Sequence, residues 1–85
     1  MGHKVELYTL STCIHCRKMK DFLRERDVEF SFVDVDMLSD AERQRVLAGI
    51  QKYDRNLAFP LLVIDDGKKT VLGFDPDAAV TALGL

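Results

Sequence analysis

The hydrophobic rhythm of the chain changes several times, and each change marks an element. Val5-Glu6-Leu7-Tyr8-Thr9 alternates apolar and polar residues, which predicts a strand over 4–9. Ser11 and Thr12 break that alternation. Beyond them Cys16, Met19, Phe22, Leu23 and Arg26 fall three and four apart, predicting a helix over 13–27 with one apolar stripe. Arg17, Lys18, Lys20, Asp21 and Arg24 would mostly face solvent. Phe30, Phe32, Val33 and Val35 predict a second strand over 29–35. Ser39 with Glu42 three residues on is a capping-box signature, opening a helix whose stripe is Val46, Leu47, Ile50 and Tyr53. The apolar run Phe59-Pro60-Leu61-Leu62-Val63-Ile64 is too short for a helix and reads as a strand buried on both faces. Asp65-Asp66-Gly67-Lys68 supplies turn chemistry for a hairpin into Lys69-Thr70-Val71-Leu72. Asp75-Pro76 then gives an N-cap acceptor followed by proline, starting a short helix through Ala78, Ala79, Val80, Ala82 and Leu83.

The order βαβαββα implies an α/β fold: a four-stranded mixed sheet flanked by helices on both faces. Eighty-five residues leave room for one core, so a single domain over 1–85 is expected. A formal charge of −2 gives no support to nucleic-acid binding. No apolar run approaches the roughly 18 residues that span a bilayer. Met1-Gly2-His3-Lys4 lacks the basic-then-apolar pattern of a secretion signal. A cytoplasmic, monomeric protein without membrane or nucleic-acid partners is the expectation.

The two cysteines carry the chemical information. A bridge between Cys13 and Cys16 closes so short a loop that it constrains the unfolded chain little, so it is a poor staple. At i and i+3 the two thiols share a helix face, with Cβ atoms about 5–6 Å apart. Cys13 should lie at or near the N-cap, where unpaired N–H groups and the helix dipole favour thiolate, the nucleophilic form. Cys16, a turn further in on the apolar stripe, should be less exposed and less acidic. Cys13 is thus the expected attacker and Cys16 the resolving thiol. His15 adds charge over the helix start and is a candidate for tuning the redox potential; an exposed, uncoupled imidazole is the plainer alternative.

Ser11-Thr12-Cys13-Ile14-His15-Cys16 between a strand and a basic helix resembles the active site of glutaredoxins and the similar NrdH-type redoxins, within the thioredoxin-like fold. Three further segments extend the resemblance over nearly the whole chain. Phe59-Pro60 resembles the family's proline, which implies a cis peptide bond facing the cysteine pair and a preceding residue that docks extended substrate. Leu72-Gly73-Phe74-Asp75-Pro76 resembles the glycine-containing turn before the last helix, and Val33-Asp34-Val35-Asp36 the end of the second strand. The resemblance therefore implies Thr12, His15, Phe59, Pro60, Gly73, Phe74 and Asp75 as substrate-binding or tuning residues around the catalytic pair. It implies a protein-disulfide reductase needing no cofactor beyond its own redox-active disulfide. Its partners would be disulfide-containing proteins and a flavin- or ferredoxin-linked reductase.

Some positions depart from the family pattern. Ile14 replaces a common proline, Ala58-Phe59-Pro60 stands where glutathione-using members often have Thr-Val-Pro, and a single Gly73 precedes Phe74 in place of a double glycine. These point away from glutathione and towards NrdH-type redoxins. A glutathione-dependent or iron–sulfur-binding glutaredoxin remains the alternative. The segment 39–57 is long for either subfamily. Zinc would need more ligands than His3 and His15 supply, so no metal is expected. A c-type haem needs histidine after the second cysteine, where this chain has Arg17. Phe22, Phe30 and Phe32 read as core.

Overall fold

The computed structural model describes residues 3–54 and 57–85. Met1, Gly2 and positions 55–56 of the long 39–57 segment lie outside the described residues. Four strands form one sheet: β1 (Val5–Thr9), β2 (Ser31–Asp34), β3 (Leu61–Ile64) and β4 (Lys69–Leu72), in the order β2-β1-β3-β4. β1 pairs with β2 in parallel, Leu7 beside Phe32 and Thr9 beside Asp34. The pairs β1–β3 and β3–β4 are antiparallel, so the sheet is mixed as expected.

Helices cover both faces. On one, α1 (Ile14–Glu25) and α3 (Pro76–Leu83) bring Met19, Leu23, Ala79 and Leu83 onto Val5, Leu7, Leu62, Ile64 and Val71. On the other, α2 (Asp40–Ile50) lays Ile50 over Leu61 and Val63. All four residues of β3 are buried, as a continuous apolar run in a central strand requires. Each such side chain taken from water contributes about 1.5–3 kcal/mol.

The caps behave as their chemistry dictates. The Glu42 N–H donates to Ser39 Oγ at 3.3 Å, and the Ser39 hydroxyl donates to Glu42 Oε1 at 2.9 Å. Asp75 Oδ1 accepts from the Ala78 N–H at 3.1 Å, with Pro76 opening α3.

Other boundaries differ from the sequence expectation. α1 stops at Glu25 rather than 27 because Asp27 takes a left-handed φ of 56° and the Val28 N–H bonds back to the Leu23 carbonyl at 3.0 Å. β2 covers only Ser31–Asp34; Val35–Met37 is a 3-10 turn that buries Val35 and frees Asp36 to bond elsewhere. β3 starts at Leu61, after Phe59-Pro60 rather than with it. Phe32 is 43% exposed, because β2 is an edge strand and no helix covers its outer flank. Phe22 and Phe30 are partly buried against the core. Along α2 only Ile50 is buried; Leu47 and Tyr53 pack beside it, and Tyr53 lies beyond the helix end.

Candidate functional site

The site lies at the end of the sheet where β1 runs out into the loop before α1. Ser11 and Thr12 form an exposed turn there. Asp36 ties that turn to the end of β2: its Oδ1 accepts from the Ser11 N–H at 2.8 Å and its Oδ2 from the Ser11 hydroxyl at 2.5 Å. These bonds hold the Asp36 carboxyl below the usual aspartate value. The Cys13 N–H closes the turn onto the Leu10 carbonyl at 3.1 Å, and the Cys13 carbonyl accepts the first helical bond, from Arg17.

Cys13 is the N-cap of α1, with extended backbone (φ −81°, ψ 121°). Its neutral side chain closes no cap hydrogen bond. The backbone N–H of Cys16 nonetheless lowers the thiol below its ordinary 9.0; the Cys16 side chain and the His15 N–H add to this, and partial burial opposes it. What His15 contributes to the sulfur thus comes from its main chain, while its imidazole is exposed. Cys16 is the opposite case, 1% exposed. Burial, with the neighbouring Cys13 sulfur, pushes its thiol up to about 11, opposed by the Leu10 N–H and the Lys20 charge. The Leu10 N–H reaches Cys16 Sγ at 3.4 Å. Both sulfurs are free thiols. One helical turn therefore holds a partly exposed sulfur inclined to thiolate and a buried sulfur inclined to keep its proton. Such a pair can attack a disulfide from outside and then close on itself.

Pro60 is fully buried, and the Phe59–Pro60 bond is cis. Tyr8 faces Leu61 in the β1–β3 register, so one further step sets Pro60 at the level of Thr9, the sheet end that leads to the cysteines. The Pro60 carbonyl accepts from the Gly73 N–H at 2.8 Å, bringing the turn after β4 to the same end. Gly73 has φ 75°, a left-handed conformation that favours glycine.

Of the other residues implied by resemblance, Phe59, Phe74 and Asp75 are engaged in the fold. Phe59 is half-buried against the Ile50–Leu61–Val63 cluster. Phe74 packs edge-on to Phe22, ring centroids 6.5 Å apart. Asp75 caps α3. Thr12 and His15 are exposed beside Cys13.

Lys20 is the residue whose setting the sequence concealed. It is not part of a solvated face: its side chain is 15% exposed and Nζ lies 3.1 Å from Asp34 Oδ1. The readable signals were its four-residue step from Cys16 and the parity that puts Asp34 on the same sheet face as Phe32. Two concavities, of about 590 and 720 Å³, are lined by residues such as Val5, Val28 and Leu83 and by Thr70, Ala78 and Thr81; neither includes a cysteine. Among the described residues, no group of three or more metal-binding side chains converges. None of their helices is long and apolar enough to cross a membrane.

A family model described as glutaredoxin matches residues 5–68. Among solved structures, the methanoredoxin of Methanosarcina acetivorans is 32% identical with a TM-score of 0.91, over 96% of this chain and 85% of that one. A glutaredoxin from Methanosarcina mazei Go1 is 33% identical with a TM-score of 0.90, over 96% and 79%. A glutaredoxin from Archaeoglobus fulgidus is 31% identical with a TM-score of 0.84, over 95% and 85%. No curated protein matches the chain significantly.

Proposed function

The chain belongs to the glutaredoxin family and is a thiol redoxin, and from that premise we propose that it reduces protein disulfides by a two-cysteine mechanism. The contrast between the two thiols supports this reading most directly: Cys13 lowered at the helix start, Cys16 buried and held up at about 11. The Cys13 thiolate attacks one sulfur of the target disulfide. A mixed disulfide forms, and the other target sulfur leaves as a thiolate and takes up a proton. Cys16 then loses its proton and attacks Cys13 Sγ. The Cys13–Cys16 bond forms, the mixed disulfide breaks, and the second target sulfur departs to be protonated. Two electrons have passed to the target, and the redoxin is left oxidised.

Pro60 and the Gly73 turn, tied together at this sheet end, would present backbone groups to an extended substrate segment. The single Gly73 before Phe74, and Phe59 before Pro60, favour recycling by a flavin- or ferredoxin-linked reductase over glutathione. In this reading the protein acts as a cytoplasmic monomer and needs no cofactor but its own disulfide.

The oxidised protein should be reduced in the presence of NADPH and a thioredoxin-reductase-type flavoenzyme, or by a ferredoxin-linked one. Efficient turnover only with glutathione and glutathione reductase would overturn the donor assignment. Cys16→Ser should accumulate a mixed disulfide on Cys13. Accumulation on Cys16 in Cys13→Ser instead would reverse the two roles.

A further inference from the structure

The exchange leaves one demand unmet, because Cys16 must give up its proton inside the protein. A group of polar side chains that the mechanism above does not use converges one turn further along α1. Lys20 stands four residues after Cys16 on α1, on the same face, which sets their Cβ atoms about 6 Å apart. Its ammonium is held against the sheet, 3.1 Å from Asp34 Oδ1 and 4.0 Å from the centre of the Phe32 ring. Asp34 is fixed in turn. The hydroxyl of fully buried Thr9 lies 2.5 Å from Asp34 Oδ1 and 3.1 Å from the Val33 carbonyl, one proton shared between two acceptors. The Leu10 N–H that reaches Cys16 Sγ belongs to the next residue of the same chain segment.

We propose that Lys20, anchored by Asp34 and Thr9, is a positioning residue for the resolving step, its ammonium stabilising the Cys16 thiolate as that sulfur turns on the mixed disulfide. The inference rests on the disulfide-exchange reading for its role, though not for its physics. A thiolate forming in a sheltered site has little water to stabilise it, so a fixed cation there is worth more than one in solvent. Asp34 weakens the field of Lys20 but also prevents the long side chain from swinging into water. Among the described residues, the charges that act on Cys16 are those of Cys13, at the start of α1, and Lys20, within it. Asp34, on β2, meets Lys20; β3 contains no charged residue, and the buried positions of β1 are Val5, Leu7 and Thr9. The acidity of Cys16 follows the same geometry, since the charge on Lys20 works against the effect of burial.

The test titrates single thiols by iodoacetamide alkylation across the alkaline range. In a Cys13→Ser background, Lys20→Met should slow alkylation of Cys16 about tenfold at any pH below its midpoint, with the midpoint moved upward. Lys20→Arg, which keeps the charge, should restore most of the rate. In a Cys16→Ser background, Lys20→Met should leave the alkylation of Cys13 unchanged. An unmoved or faster Cys16 reaction in Lys20→Met, or equal slowing at Cys13, would overturn the assignment by showing a merely structural role. With both cysteines present, Lys20→Met should let the mixed disulfide accumulate. A parent protein that forms no mixed disulfide would overturn the exchange reading, while the single-thiol titrations would still decide the electrostatic one.

Discussion

The two ends of the sheet secure their loops with the same device, an aspartate reaching across to a neighbouring segment, but in opposite surroundings. At the end away from the cysteines, Asp65 meets His3 Nδ1 at 2.7 Å and accepts from the Lys4 N–H at 2.9 Å. Lys4 Nζ reaches Asp66 at 2.8 Å, with both side chains more than half exposed. At the cysteine end, the Lys20 and Asp34 side chains are 15% and 23% exposed, and Asp34 also accepts from the buried Thr9 hydroxyl. Ion-pair distances differ little between the ends. What differs is the medium: the same pair interacts roughly fourfold more strongly at an effective dielectric of 20 than at 80. A charge orphaned in the sheltered pair is correspondingly costly, whereas one orphaned at the surface is simply hydrated. One end uses charge to pin a chain segment. The other keeps charge where the buried Cys16 sulfur can feel it.

The sharpest way to break this contrast is to delete one carboxylate at each end. Asp34→Ala strands Lys20 and removes an acceptor from Thr9, and should cost about 2–3 kcal/mol in a urea unfolding experiment. Equal costs for Asp34→Ala and Asp66→Asn would erase the distinction. A second measurement uses alkaline pH. Folding holds the Cys16 thiol at about 11 against an ordinary 9.0, so the unfolded chain releases that proton first. The associated stability is complete below pH 9 and drains away as pH rises through 11, on the order of 2 kcal/mol for the reduced protein. Tyr8 is raised as well, chiefly by burial, so it too contributes stability that is lost at alkaline pH. Cys16→Ala should therefore flatten the alkaline decline without abolishing it; an identical decline would contradict the burial of this sulfur. Smaller still, Asp66→Asn, which suits the left-handed φ of 58° at that position, should change stability by no more than about 0.5 kcal/mol, and added salt should shrink even that. The last effect is directional. Asp36 and Asp65 are both lowered from 3.8, so what they contribute is present above that value and lost as pH falls through their folded values. The stability difference between Ser11→Ala and the parent should narrow on acidification, and a difference that widens would argue against the Ser11–Asp36 tie.

Local chemistry made much of this molecule legible in advance. Ser39 with Glu42, and Asp75 with Pro76, declare helix starts because their side chains satisfy backbone donors within a few residues. Leu61–Ile64 reads as a central strand because nothing else accommodates four consecutive buried side chains. The cysteine pair was readable from spacing, which sets Cys13 at the helix start, where the backbone acts on its thiol, and Cys16 one turn further in. Depth was not readable. Periodicity tells which face Phe32 and Lys20 occupy, not how far a neighbouring helix reaches over them. Phe32 lies on an edge strand with Lys20 drawn across its ring, so the expected core residue is half open and the expected surface lysine is sheltered. The resemblance implies Phe74 and Phe59 as substrate-binding or tuning residues. Their packing on Phe22 and on the Ile50 cluster depends on how α1 and α2 lie on the sheet, which no local spacing encodes.

The bond from the Leu10 amide to Cys16 Sγ also gives the protein an internal reporter. That amide proton is held by the atom whose bonding changes when the pair is oxidised, and it belongs to the backbone rather than to either cysteine. Its resonance and its rate of exchange with deuterium should register the electron count of the dithiol, with no probe attached and no residue replaced.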